Sequence, residues 1–225
     1  MNWQRMRVRR EVDVPPVRPC ALARWLMRQR KGFVVWDTET TGLGDDAKIV
    51  SIGVVDHQAN VLVDTLINPG EPIPRDATRI HGVTDEMVAD APTFEQVYQQ
   101  IRQSLQGKRW VIYNKGYDTA RLKYECARYW LPQIVPAEMG ITETFYGWWQ
   151  SHERAEIYCA MEMFAEVYCD FSEYHGNFKW QNLAVAADHY GLKEWLAHNA
   201  LGDALMTLSV VKEMAMDEDK EIVRS

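Results

Sequence analysis

Apolar residues in this chain follow two rhythms, and their alternation predicts the order of its elements. Residues 33–43, FVVWDTETTGL, open as a short continuous apolar run and end abruptly in polar residues, the pattern of a buried strand. Two β-branched runs follow at 48–55 and 61–67, split by a polar stretch at 56–60, and predict a hairpin neighbour. Further short strands are expected at 109–113 and 156–159. Helical spacing appears over 20–30, where Leu22, Trp25 and Leu26 recur with Arg24, Arg28 and Arg30 between them. A helix over 94–105 has Thr93 as its N-cap and Gln96 in the capping-box position. Others are predicted after the strand at 109–113, running past Asn114 and Asp118 to about Tyr129, from Ala160 to about Tyr168, from Trp180 to Tyr190 before Gly191, and from Ala200 to Met214.

Between these elements the punctuation is clear. Pro15 and Pro16 predict an extended lead-in, and Pro69, Pro72 and Pro74 mark a loop. The HGVTDEM stretch at 81–87 leads into short helical pieces. Residues 132–153, with Phe145, Tyr146, Trp148 and Trp149, fit no neighbouring pattern and read as an aromatic-rich insertion. Strands interleaved with helices predict an α/β fold.

Composition narrows the class. With 225 residues, 47% of them hydrophobic and 25% charged, the chain is long enough for one domain with a full core and has no apolar run of membrane-spanning length. The four cysteines, Cys20, Cys126, Cys159 and Cys169, form no Cys-x-x-Cys pair and follow no secretory signal. Reduced thiols and a cytoplasmic location are expected. The net charge of −7 conceals an asymmetry: residues 1–31 hold nine Lys and Arg against two acids, leaving 16 basic and 30 acidic residues beyond. The chain therefore divides into a basic extension at 1–31 that includes the amphipathic helix, a body at 32–216 and an acidic tail at 217–225. A basic arm suits a nucleic acid or the acidic surface of a protein partner.

The candidate chemistry lies where strands end. Residues i and i+2 of a strand share a face, so Asp37 and Glu39 project together. Two such carboxylates repel and lose hydration unless a hard cation such as Mg²⁺ or a hydrogen-bond network compensates them. Alone, an Asp-x-Glu pair is better read as a cap or turn after a strand. Asn114 and Asp118 repeat the arrangement after the strand at 109–113, at the kind of strand end where open α/β sheets collect their sites. His198 precedes Asp203 by five residues, so the two share a helix face only roughly unless His198 lies on the preceding loop. By themselves they also fit an N-cap and a solvated charge.

Taken together, Asp37-x-Glu39, Asn114-x-x-x-Asp118 and His198 with Asp203 resemble, in order and spacing, the three motifs of the DEDD exonuclease superfamily in its DnaQ-like DEDDh branch, from about residue 33 to 215. The resemblance implies an RNase H-like fold with a mixed central sheet and helices on its faces, and hydrolysis of nucleotides from a 3′ end. It implies two Mg²⁺ or Mn²⁺ ions held by Asp37, Glu39, Asp118 and Asp203, with His198 as general base. Thr38, Thr41, Gly42, Leu43, His81 and Asn114 would lie against the substrate, with the backbone near Thr41 at the 3′-hydroxyl and Leu43 wedged between the last bases. Two cations about 4 Å apart suit an in-line displacement at a phosphodiester, and an imidazole with a reference pKa of about 6.5 suits proton removal near neutrality.

The expected partner is a nucleic acid with a free 3′ end, single-stranded DNA before RNA. An exoribonuclease of the same fold and a non-catalytic binding subunit are the alternatives. Cys159 and Ala160 replace a common Asp-Thr pair of the family. The aromatics from Trp110 to Trp195, including those at 174–180, read as core, with base stacking as the alternative. His57, His152, His175 and His189 show no metal-ligand spacing.

Overall fold

A computed structural model describes residues 15–130, 156–192 and 198–218. The basic residues before 15, the insertion at 132–153, Trp195 and the end of the acidic tail lie outside them. The order is α1 (Pro19–Met27), β1 (Phe33–Thr40), β2 (Ile49–Asp56), β3 (Val61–Leu66), α2 (Arg75–His81), α3 (Asp85–Val88), α4 (Phe94–Leu105), β4 (Arg109–Ile112) and α5 (Lys115–Trp130). Then come β5 (Ile157–Cys159), α6 (Ala160–Tyr168), β6 (Phe171–Ser172), β7 (Asn177–Phe178), α7 (Leu183–His189) and α8 (Ala200–Met216). Strands β3-β2-β1-β4-β5 form one mixed sheet: β1, β4 and β5 run parallel, and β2 lies antiparallel between β1 and β3. This is the mixed, helix-flanked sheet expected.

The period of two along β1 assigns its residues to two helical layers. Phe33 and Val35 enter a core with α1, α6, α7 and α8, whereas Val34 and Trp36 enter the core under α4 and α5. On the second face Trp36 meets Trp110 edge to face at 5.7 Å between ring centroids. Trp110 is only 1% exposed, so its ring is core and unavailable for stacking on bases.

The expected capping box is present. Thr93 and Gln96 form the capping box that opens α4, the Thr93 N–H donating to Gln96 Oε1 at 2.8 Å. Helix α2 starts directly after Pro74 and ends at Gly82 in the left-handed conformation, at φ 73°.

One expectation needs correction. The helix predicted from Trp180 begins at Leu183, because Asn182 caps it by accepting the Val185 N–H at 2.9 Å. The residues before it form the β6–β7 hairpin, too short to leave a periodic signal. Helix α1 buries Cys20, Ala23 and Leu26, with Leu22 and Trp25 on the flanks of that stripe. It packs on α8, and its apolar stripe joins the core of the body. Among the described residues no helix is long and apolar enough to cross a membrane.

Candidate active site

The alternation along β1 continues past the apolar run and sorts the polar residues that follow. Asp37 and Glu39 continue the face of Phe33 and Val35, toward α8. Asp203, in the first turn of α8, meets them there: carboxylate oxygens of Asp37, Glu39 and Asp203 all lie within 4.8 Å of one another. Thr38 and Thr40 continue the opposite face, toward α5. Thr38 donates to Asp118 Oδ1 through its hydroxyl at 2.7 Å and its N–H at 3.2 Å.

A glycine makes the approach of α8 possible. Gly53 pairs with Asp37 across β1 and β2, and a Cβ there would lie 2.4 Å from the backbone N and Cα of Leu201. Backbone cannot yield as a flexible side chain can, so only glycine lets the start of α8 lie on the sheet at this point. Asp203 follows two residues later, its N–H donating to the Asn199 carbonyl at 2.8 Å.

The cluster is electrostatically strained without a cation. Burial first, then the charges of Asp118, Asp203 and Glu39, raises Asp37 well above the usual carboxylate range. Glu39 is pushed up to about 8 by burial and by Asp203 and Asp118. Asp118 rises to about 7 through burial, held down by the two hydrogen bonds from Thr38. Carboxylates that repel one another in a half-buried site, with only oxygen donors, fit a hard divalent cation.

The remaining expected residues divide. His198 stands one residue before Asn199, the N-cap of α8, at φ 60°, a left-handed conformation uncommon for a residue with a Cβ. Its side chain is exposed and near enough to His81 that its charge, after burial, helps lower the His81 pKa. His81 accepts the Val83 N–H at Nδ1, 3.0 Å away, so its Nε2 carries the proton and faces the Thr40 carbonyl at 3.2 Å. Expected beside the substrate, this ring spends both nitrogens on backbone. Thr38 likewise holds a carboxylate. Thr41 is tied to Lys48 through its N–H at 2.8 Å and its hydroxyl at 3.0 Å. Asn114 starts α5, its carbonyl accepting the N–H groups of Tyr117 and Asp118. Gly42 and Leu43 lie on the turn beyond β1, Leu43 being 87% exposed.

Sequence reasoning missed Gly53 and Tyr117. An isolated glycine inside a β-branched strand was a usable signal of close backbone approach. Nothing in the spacing of Tyr117 announced its hydrogen bonds.

The chain is similar to known exonucleases. The exonuclease family RNase_T matches residues 34–211. The uncharacterized exonuclease CP81 of Escherichia phage 186 is 38% identical over 193 residues, covering 85% of this chain and 91% of its own length. DNA polymerase III subunit epsilon of Pasteurella multocida is 34% identical over 121 residues, 49% of this chain and 48% of that subunit. The match thus spans about half of that longer relative. Among solved structures, Exonuclease X in complex with 5′ overhanging duplex DNA has a TM-score of 0.52 at 21% identity, over 83% of this chain and 95% of that one. The nuclease domain of 3′hExo, a DEDDh family member bound to rAMP, has a TM-score of 0.57 at 15% identity, over 83% and 92%.

The fold is the RNase H-like fold of exonucleases. The chain belongs to the exonuclease family, in the DnaQ-like DEDD superfamily of hydrolytic, metal-dependent 3′ to 5′ nucleases.

Proposed function

We propose that the chain removes nucleotides from the 3′ end of single-stranded DNA. In this reading Asp37, Glu39, Asp118 and Asp203 hold two Mg²⁺ or Mn²⁺ ions, and His198 is the general base. The observation that carries it is the convergence of Asp37, Glu39 and Asp203 oxygens within 4.8 Å, with Asp118 close enough to raise the pKa of both Asp37 and Glu39. A scaffold that only bound nucleic acid would gain nothing from four mutually repelling carboxylates.

Bound divalent cations would supply charge neutralisation at the phosphodiester and a nucleophile at neutral pH. The chain's own part is to hold and orient. Asp37 and Glu39 are fixed by the sheet, Asp203 by a capped helix and Asp118 by Thr38. His198 accepts the proton of the attacking water at a ring nitrogen, from an exposed position open to solvent. Gly42 and Leu43 meet the terminal nucleotides.

DNA is favoured by the polymerase III epsilon subunits among the relatives. RNA is the second reading, supported by the likeness to 3′hExo bound to rAMP. Four free cysteines fit a reducing cytoplasm. The basic residues of the first 31 suit phosphates or an acidic partner protein.

The test is digestion of 5′-labelled single-stranded DNA and RNA of one sequence with Mg²⁺. A ladder shortening from the 3′ end, faster on DNA, is expected. Faster loss of RNA would move the assignment to an exoribonuclease, and binding of both without shortening would leave a non-catalytic subunit.

A further inference from the structure

Three side chains hold the turn at 40–44, where the chain leaves β1 just beyond the carboxylates. The Tyr117 hydroxyl, on α5, lies 2.6 Å from the Gly42 carbonyl oxygen and 2.5 Å from Thr40 Oγ1, itself 2.8 Å from that carbonyl. Two hydroxyl protons serve this triangle: one passes between the hydroxyls and the other is donated to the carbonyl. One helical turn along α5, the buried Arg121 donates to the Gly44 carbonyl and lies over the Tyr117 ring, 5.6 Å from the ring centroid. From α2, His81 donates to the Thr40 carbonyl.

Beyond this brace the turn is open. A Cβ on Gly42 would meet nothing within 4 Å, and Leu43 extends almost wholly into water. A turn already tied at Thr40, Gly42 and Gly44 gives up little further backbone freedom when a ligand meets Leu43, so the cost of ordering it falls on folding rather than on binding.

We infer that Tyr117 is a positioning residue whose hydroxyl sets the turn that presents Leu43 to the last two bases of the strand being degraded. The inference rests on the exonuclease reading and adds to it a residue that holds no metal and touches no substrate.

Tyr117→Phe tests it, since the ring and its stacking with Arg121 remain and only the hydroxyl is lost. On a short single-stranded DNA, KM is expected to rise about three- to tenfold, the worth of one hydrogen bond, with kcat near wild type. Mg²⁺ affinity measured by calorimetry without substrate should not change. Thr40→Val, which opens the same triangle from the strand side, should reproduce the effect. Leu43→Ala should raise KM by itself, and the double variant with Tyr117→Phe should cost no more than Leu43→Ala, because no wedge is left to position. An unchanged KM in Tyr117→Phe, or additive effects in the double variant, overturns the inference. So does lost Mg²⁺ affinity, which would assign the hydroxyl to the metal site. A wild type that shortens neither DNA nor RNA overturns the exonuclease reading and this inference with it; a wild type and a Tyr117→Phe variant that degrade DNA equally overturn this inference alone.

Discussion

Thr38 and Asp118 stand 80 residues apart in sequence and 2.7 Å apart in space, joined by a hydroxyl donated to a carboxylate that is only 3% exposed. The bond ties the strand carrying Asp37 and Glu39 to the helix carrying Asp118, and it favours the ionised form that a cation requires. Thr38→Val keeps the shape and removes the donor. Mg²⁺ affinity and kcat/KM should both fall, by about 10- to 100-fold as for other partners of metal ligands, while Thr38→Ser should stay near wild type. Equal Mg²⁺ titrations for Thr38→Val and wild type would show that the bond does not tune the site.

Removing one carboxylate should separate stability from activity. Asp37→Asn or Asp203→Asn relieves repulsion among the acids, so the metal-free protein should melt at or above the wild-type temperature while Mg²⁺-dependent turnover drops to background. A variant that melts as expected yet turns over normally would remove these residues from the catalytic site.

The raised pKa values set a pH dependence with a definite sign. Burial and the neighbouring charges push Glu39 up to about 8 and Asp118 up to about 7, well above the ordinary carboxylate range near 4, so the folded state holds protons that the unfolded state has released. Stability of the metal-free protein is then greatest at low pH within this window and falls as pH rises from about 4 to 8. Mg²⁺ displaces these protons, so its affinity should climb over the same interval, and its stabilising effect should be larger at pH 8 than at pH 6. Melting curves with Mg²⁺ and with a chelator check this; curves that are parallel across pH would contradict it.

For His198 the role of base demands more than its location. His198→Gln should retain Mg²⁺ affinity and lose turnover by about 10²–10⁴-fold, with partial recovery at high pH as hydroxide replaces the missing base. If the pH–rate profiles of variant and wild type coincide in shape and height, the histidine is not the base.

Gly53→Ala is expected to be the costliest of the small substitutions. The added methyl group meets the backbone of α8, so either the helix start moves or the sheet bends, at about 1–3 kcal/mol. Asp203 moves with the helix. A lowered melting temperature should therefore come with weakened Mg²⁺ binding, and a variant that loses neither would show that the close approach is dispensable.

Much of this arrangement was legible in sequence because it is local or periodic. The apolar run of β1, the β-branched hairpin and the Thr93–Gln96 box each fit within one window. The period of two predicted that Asp37 and Glu39 share a face. What was hidden depends on contacts between distant segments. Nothing within 33–43 says that Thr38 points at a helix 80 residues on, and the HG stretch fits a substrate contact and a backbone-bonded loop histidine alike, so it could not choose the bonds that His81 makes. Helix α1 was recognised, but its central face was misjudged: Trp25 dominates by size, whereas the smaller Cys20 and Ala23 let the helix sit close to α8. The β6–β7 hairpin, with two residues per strand, lies below the length at which any period can be counted. Its Phe171 and Tyr174, 51% and 91% exposed, and Trp180 just beyond it, 65% exposed, face solvent.

The two-sided use of β1 makes the chemistry an indicator of how the sheet has assembled. Odd positions carry the acids toward α8, and even positions carry the hydroxyls toward α5. A one-residue slip in pairing would send all four groups to the wrong layers at once. Misassembled molecules would be inert rather than careless in what they cut, so specific activity per molecule counts the fraction of chains in correct strand register.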